Sequence, residues 1–128
     1  MMSAPIPEHV RRFLEDSIDS VPQLEALLLM FDEPRKRWSV PDISARTYIS
    51  HAEADKLLVR LARRNLIHSD DDGAHFAIQA GEATTRALLE DVARTYRANL
   101  TQVATFIHEK PPASVKEFAR AFDLKRNH

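Results

Sequence analysis

The sequence predicts a mainly α-helical protein that carries one small β-hairpin. Apolar residues recur at helical spacing over several long stretches of the chain. Only two glycines occur among the 128 residues, and a low glycine content favours helices. The dipeptide Asp72-Gly73 lies between two short strand-like runs, which indicates a tight turn joining paired strands.

The first two helices are predicted from apolar spacing and capping residues. The first is expected over about residues 7–18. Ser20 should begin the second helix, because Gln23 lies three residues later at the spacing of a capping box. The wide apolar stripe that follows predicts a central and buried helix, which Pro34 should end. The shared face of the first helix consists of Val10, Phe13, Leu14 and Ile18.

The third and fourth helices follow in close succession. Residues 38–40 are expected to form a short strand, and a short helix then runs to about Tyr48, with either Ser39 or Asp42 as its N-cap. Ser50 should begin the fourth helix and Asn65 should end it in the left-handed region. Its inward residues are expected to be Ala54, Leu57, Leu58 and Leu61.

The remaining third of the chain is predicted as a hairpin followed by helices. Two short strands are expected over about residues 66–69 and 75–78. A long helix should run from near Gly81 to about Glu109, and a last short helix should begin at Ser114 after a proline pair.

This order of elements resembles the winged helix-turn-helix transcription regulators. The local match covers about residues 38–78 and includes Ile49-Ser50 at the turn, with Asn65 standing where many members carry glycine. The long helix after the hairpin is similar to the dimerisation helix of the MarR-like and PadR-like groups. The resemblance therefore implies a winged helix-turn-helix domain over residues 1–80 and a dimerisation element over residues 81–128.

The resemblance also implies a sequence-specific DNA-binding regulator that acts as a homodimer, because the helix after the turn enters the major groove in such proteins. Residues 35–68 carry a net charge of +5 between acidic flanks, which favours a polyanion-facing surface. The alternative is that the polar face of the fourth helix is only solvated and contacts no DNA. The candidate DNA-binding residues are Ser50, His51, Lys56, Arg60, Arg46, Arg35, Lys36 and Arg37.

Several acidic residues oppose this interpretation. Glu53 and Asp55 lie near the groove-facing end of the fourth helix, and three aspartates occupy the tip of the wing. The basic run at residues 35–37 could also serve only to neutralise Asp32 and Glu33. The alternative function is therefore a winged-helix protein–protein interaction module that does not bind DNA.

The long helix has two interpretations, since it either packs on its own domain or pairs with a second copy of the chain. A two-fold dimer would present two reading helices about one DNA turn apart. The predicted dimerisation seam consists of Leu89, Val92, Tyr96, Leu100, Val103 and Ile107.

A metal site at the hairpin finds little support in the sequence. Histidine and carboxylate side chains can bind a divalent metal, but an acidic turn is commonly only solvated, so neither a metal nor a cofactor is expected. The two histidines of this region should lie nearly opposite each other on the paired strands. The residues that cluster around the hairpin are His68, Asp70, Asp71, Asp72 and His75.

Catalysis and membrane insertion are not predicted either. No phosphate loop, metalloprotease motif or thiol occurs, and an enzyme is therefore not expected. The absence of long apolar runs and of a leader predicts a cytoplasmic protein without membrane partners. A small-molecule effector or a protein partner remains open.

Overall fold

The computed structural model describes residues 5–70, 72–79 and 81–110. Strands β1 (Ile67–Ser69) and β2 (Phe76–Ile78) form an antiparallel hairpin in which Ile67 lies opposite Ile78 and His68 lies opposite Ala77. The mainly helical fold with one hairpin is thus confirmed, whereas the helix predicted from Ser114 falls outside the described residues. In chain order the elements are α1 (Glu8–Ser17), α2 (Val21–Asp32), α3 (Val40–Thr47), α4 (His51–Arg63), β1 (Ile67–Ser69), β2 (Phe76–Ile78), α5 (Ala83–Ala98) and α6 (Leu100–Glu109).

Serine side chains begin three of the helices. Ser20 Oγ accepts from the backbone N of Gln23 at 3.2 Å at the start of α2. Ser39 and Asp42 form a reciprocal capping box on α3, which settles the choice of N-cap in favour of Ser39. The hydrogen bond from the Ser39 backbone N–H also lowers the pKa of the Asp42 carboxyl. Ser50 caps the start of α4 in the way that Ser20 caps α2.

The hydrophobic core is one cluster to which all six of these helices and the hairpin contribute. Helix α2 lies at its centre and contacts α3, α4, α5, α6 and β2, as its wide apolar stripe predicts. The fully buried apolar residues of α2 are Leu24, Ala26, Leu27 and Met30.

Trp38 adds a third position to the hairpin. Its backbone N donates to the carbonyl oxygen of Phe76 at 2.8 Å, and the N of Phe76 donates back at 2.8 Å. The predicted strand over residues 38–40 is therefore a single bridge, because Ser39 already serves as the N-cap of α3. The Trp38 side chain is fully buried, as expected of a core residue.

The helix predicted from Gly81 to about Glu109 is divided at Asn99 into α5 and α6. Asn99 has φ −139° and ψ 53°, outside the helical region, and asparagine is a poor helix former. Beyond the break, Val103 and Ile107 are buried in the core instead of extending away from it. Lys110 Nζ then donates to the carbonyl oxygens of Leu14 at 3.0 Å and Glu15 at 2.8 Å.

Candidate nucleic-acid interface

A rigid turn joins α3 to α4. Tyr48 adopts the left-handed conformation, with φ 58° and ψ 42°, at the end of α3. The backbone N of Ile49 donates to the carbonyl oxygen of Ser44 at 3.3 Å, and Ser44 Oγ donates to the carbonyl oxygen of Ile49 at 2.5 Å. These bonds hold the residues on both sides of the turn and so fix how α4 leaves it.

Helix α4 presents one buried and one exposed face. Ser50 Oγ accepts from the backbone N of Glu53 at 3.1 Å and so caps the helix as predicted. The predicted inward residues Ala54, Leu57, Leu58 and Leu61 are all buried. The exposed residues of the other face are His51, Ala52, Glu53, Asp55, Lys56, Arg60 and Arg63, while Val59 is half-buried.

Asp19 links the far end of α4 to the loop between α1 and α2. Its carboxylate accepts from Arg64 Nη2 at 3.1 and 3.2 Å, and Arg64 Nη1 also donates to the carbonyl oxygen of Ser17. Arg60 Nη1 lies 3.6 Å from the same carboxylate. The Arg60 guanidinium is exposed but partly neutralised by this carboxylate, which comes from a distant part of the sequence.

The basic run before Trp38 lies beside the wing. Lys36 Nζ lies 4.0 Å from the centroid of the Trp38 ring, and Arg46 Cζ lies 5.7 Å from it. Both cations interact favourably with the face of the indole. Arg37 Nε donates to Oδ2 of Asp70 at 2.7 Å, and its Nη2 contacts the same oxygen. Arg37 thus pairs with the wing, and not with the acidic end of α2.

The wing turn gathers acidic groups. Asp70, Asp72 and His75 each offer one potential ligand atom, and these atoms lie within 4.8 Å of one another. Asp70 already pairs with Arg37, so its charge is partly neutralised. His75 precedes β2, and His68 pairs with Ala77, so the two histidines are not directly opposed across the hairpin.

The predicted dimerisation seam lies mostly inside the described chain. Leu89, Val92, Val103 and Ile107 are buried in its core. Tyr96 is half-buried, and its hydroxyl donates to Glu25 Oε1 at 3.0 Å. Leu100 is the member of the seam that stays open to solvent, with 55% of its surface exposed.

All eight candidate DNA-binding residues are exposed, and they lie on or beside α3, α4 and the wing. Three further residues of this region could not be assigned a role from the sequence. They are Tyr48 in the turn, Asp19 beside Arg60 and Arg64, and Asp70 as the partner of Arg37. No pattern in the sequence marks Tyr48, because an aromatic residue rarely adopts a left-handed conformation. The carboxylate partners are distant in sequence, so only the fold brings them close.

An exposed helix behind a fixed turn, next to a two-stranded hairpin, defines a winged helix-turn-helix protein. The fold is that of the MarR-family transcription regulators, as three solved structures show. A MarR family protein from Bacillus stearothermophilus is 16% identical over 94% of this chain and 81% of its own, with a TM-score of 0.50. A mutant of MepR from Staphylococcus aureus is 16% identical over 91% and 84%, with a TM-score of 0.51.

RV1404 from Mycobacterium tuberculosis is 14% identical over 93% of this chain and 80% of its own, with a TM-score of 0.50. No protein-family model and no curated protein sequence matches the chain. None of the helices in the described ranges is both long and apolar enough to cross a lipid bilayer.

Proposed function

We propose that the chain is a sequence-specific DNA-binding transcriptional regulator that acts as a homodimer and is not an enzyme. The observation that carries this proposal is the exposed outer face of α4. This helix follows a hydrogen-bonded turn and lies beside the wing. In helix-turn-helix proteins the N-terminal residues of this helix contact base edges in the major groove. His51 and the capping Ser50 occupy that position here.

Cationic side chains extend along the same face. Lys56 and Arg60 are four residues apart on α4, so they lie on one stripe of the helix surface. Arg46 on α3 and the run at residues 35–37 add exposed positive charge next to it. Contacts of this kind with phosphates supply the salt-dependent part of the affinity.

The acidic wing opposes DNA binding less strongly than its sequence suggests. Arg37 pairs with Asp70 at the base of the turn and offsets part of the negative charge there. We therefore assign the main contacts to α4 and only a minor role to the wing tip. The structural likeness to transcription regulators supports DNA binding over the alternative of a module that binds only proteins.

The sequence does not exclude a small-molecule effector, and a cleft of about 510 Å³ has space for one. Its walls combine leucine side chains with both acidic and basic groups, and Arg46 of the proposed DNA surface is one of them. The lining residues are Glu25, Leu28, Leu29, Asp32, Arg46, Tyr96, Arg97 and Leu100.

Fluorescence anisotropy with a labelled duplex of about 30 base pairs, long enough for two half-sites, tests DNA binding. We expect the affinity to fall steeply between about 50 and 200 mM salt, because bound protein releases counterions. Reversing both charges in a Lys56→Glu, Arg60→Glu double variant should weaken binding at least about ten-fold and lower the salt slope.

The matched control is Arg12→Glu, which reverses an exposed charge on α1, outside the proposed surface. It should leave the affinity close to that of the unmodified chain. A loss in Arg12→Glu of about half that of the double variant, in log affinity, would mean that only net charge matters, because the single variant changes the net charge by half as much. An unmodified chain that does not retard DNA at low salt but captures a stable protein partner would favour the interaction module instead.

A further inference from the structure

Tyr48 combines two unusual properties. The residue is 94% exposed, more than any other large hydrophobic residue in the described part of the chain. Its backbone has φ 58°, in the left-handed region that glycine and asparagine enter far more readily than an aromatic residue does. The chain uses asparagine for the same purpose at Asn65, at the other end of α4, where φ is 62°.

Packing does not explain why a tyrosine stands at this position. A side chain that is almost wholly exposed buries little apolar surface, so it adds little to the stability of the core. Glycine would relieve the backbone strain at the same place. Strained conformations that the surrounding structure holds in place are concentrated at functional sites.

The turn holds the Tyr48 backbone in a fixed position. Its backbone N–H donates to the carbonyl oxygen of Ser44, and the neighbouring Ile49 is bound to Ser44 through both its N–H and its carbonyl oxygen. On the other side, Thr47 Oγ1 donates to the carbonyl oxygen of Ile43 at 2.6 Å. The exposed ring therefore extends from a rigid anchor, two residues before the N-cap of α4.

We infer that Tyr48 contacts the sugar–phosphate backbone of the duplex at the edge of the groove that α4 enters. This inference rests on the proposed function. A phenol hydroxyl can donate to a phosphate oxygen, and tyrosine is among the side chains that position proteins on DNA in this way. The exposed Arg46 and His51 flank it in sequence and favour the same anionic partner.

Two substitutions of Tyr48 test the inference in the full chain with the same labelled duplex. Tyr48→Gly should leave the melting temperature unchanged or raise it, because glycine relieves the left-handed strain, yet it should weaken DNA binding about five-fold or more. Tyr48→Phe should weaken binding about two- to five-fold without a change in melting temperature. The slope of affinity against salt should stay unchanged in both, because neither variant removes a cationic side chain.

Asn65→Gly is the matched control, because it relaxes a second left-handed position, just after the end of α4, without removing a proposed contact. It should bind DNA as tightly as the unmodified chain. If Tyr48→Gly binds equally tightly, or if its loss of binding accompanies a lower melting temperature, the inference is overturned while the proposed function stands. If the unmodified chain itself shows no salt-sensitive binding, the proposed function fails and the inference fails with it.

Discussion

Tyr96 is a residue whose ionisation the fold changes strongly. Burial raises the pKa of its phenol to about 12, and the hydrogen bond to Glu25 acts in the same direction. The neutral phenol is therefore favoured in the folded chain. Since the ordinary pKa is 10.0, this contribution to stability is fully present below about pH 10 and is lost as the pH rises through about 12.

We expect Tyr96→Phe to be less stable than the unmodified chain at neutral pH, because it lacks the bond to Glu25, and to lose less stability as the pH rises from about 10 to about 12. Thermal unfolding at several pH values measures the difference. Titration of tyrosinate absorbance should show one group ionising near pH 12 that is missing from the variant. Ionisation of Tyr96 near its ordinary pKa of 10.0 would contradict the assignment.

At the scale of elements, the wing and the basic run before α3 are joined by one ion pair. Arg37 donates to Asp70, so a cation of the proposed DNA surface is neutralised by a carboxylate on the wing. The same arrangement recurs at the far end of α4, where Arg60 lies near Asp19. In the proposed complex, both carboxylates would compete with DNA phosphates for the arginines that face them.

Asp70→Asn should therefore strengthen DNA binding about three- to ten-fold at low salt, because it removes a negative charge and frees Arg37. The anisotropy titration measures this gain. Asp72→Asn is the matched control, since it removes the same charge from the wing without releasing an arginine and retains an acceptor for the backbone N of Ala74. Equal gains in the two variants would show that the pairing of Arg37 has no separate effect.

At the scale of the molecule, the proposed dimer has to use surface that the core leaves free. Four of the six predicted seam residues are buried within the chain, whereas Leu100 at the start of α6 remains exposed. Exposed large apolar side chains at a helix surface are suited to an interface. We therefore place Leu100 at the proposed two-fold seam.

Sedimentation of the unmodified chain should give twice the 14.6 kDa mass of one chain, and Leu100→Glu should sediment as a monomer at micromolar concentration. A charge buried without a partner at an interface is strongly unfavourable, which is why the substitution should separate the subunits. Thr84→Glu, at an exposed position in the first turn of α5, should remain dimeric. A monomeric unmodified chain would refute the dimer, and a dimeric Leu100→Glu would remove Leu100 from its seam.

The sequence by itself determined the features that depend on neighbouring residues. Ser20 and Ser50 cap their helices through bonds to residues three positions later, and Asn65 closes α4 in the left-handed region. The hairpin and the inward face of α4 could also be predicted, because turn preferences and the helical period both depend on residues only a few positions apart. His51, Lys56 and Arg60 on α4 are exposed as the helical period implies.

Only the tertiary structure decided which distant groups meet. Arg37 and Asp70 are 33 residues apart, Arg64 and Asp19 are 45 apart, and Tyr96 and Glu25 are 71 apart. The position of α6 beyond the break at Asn99 likewise depends on packing, since Val103 and Ile107 are buried in the core. Local preferences act through bonds along the chain, whereas these contacts exist only after hydrophobic burial has set the positions of whole helices.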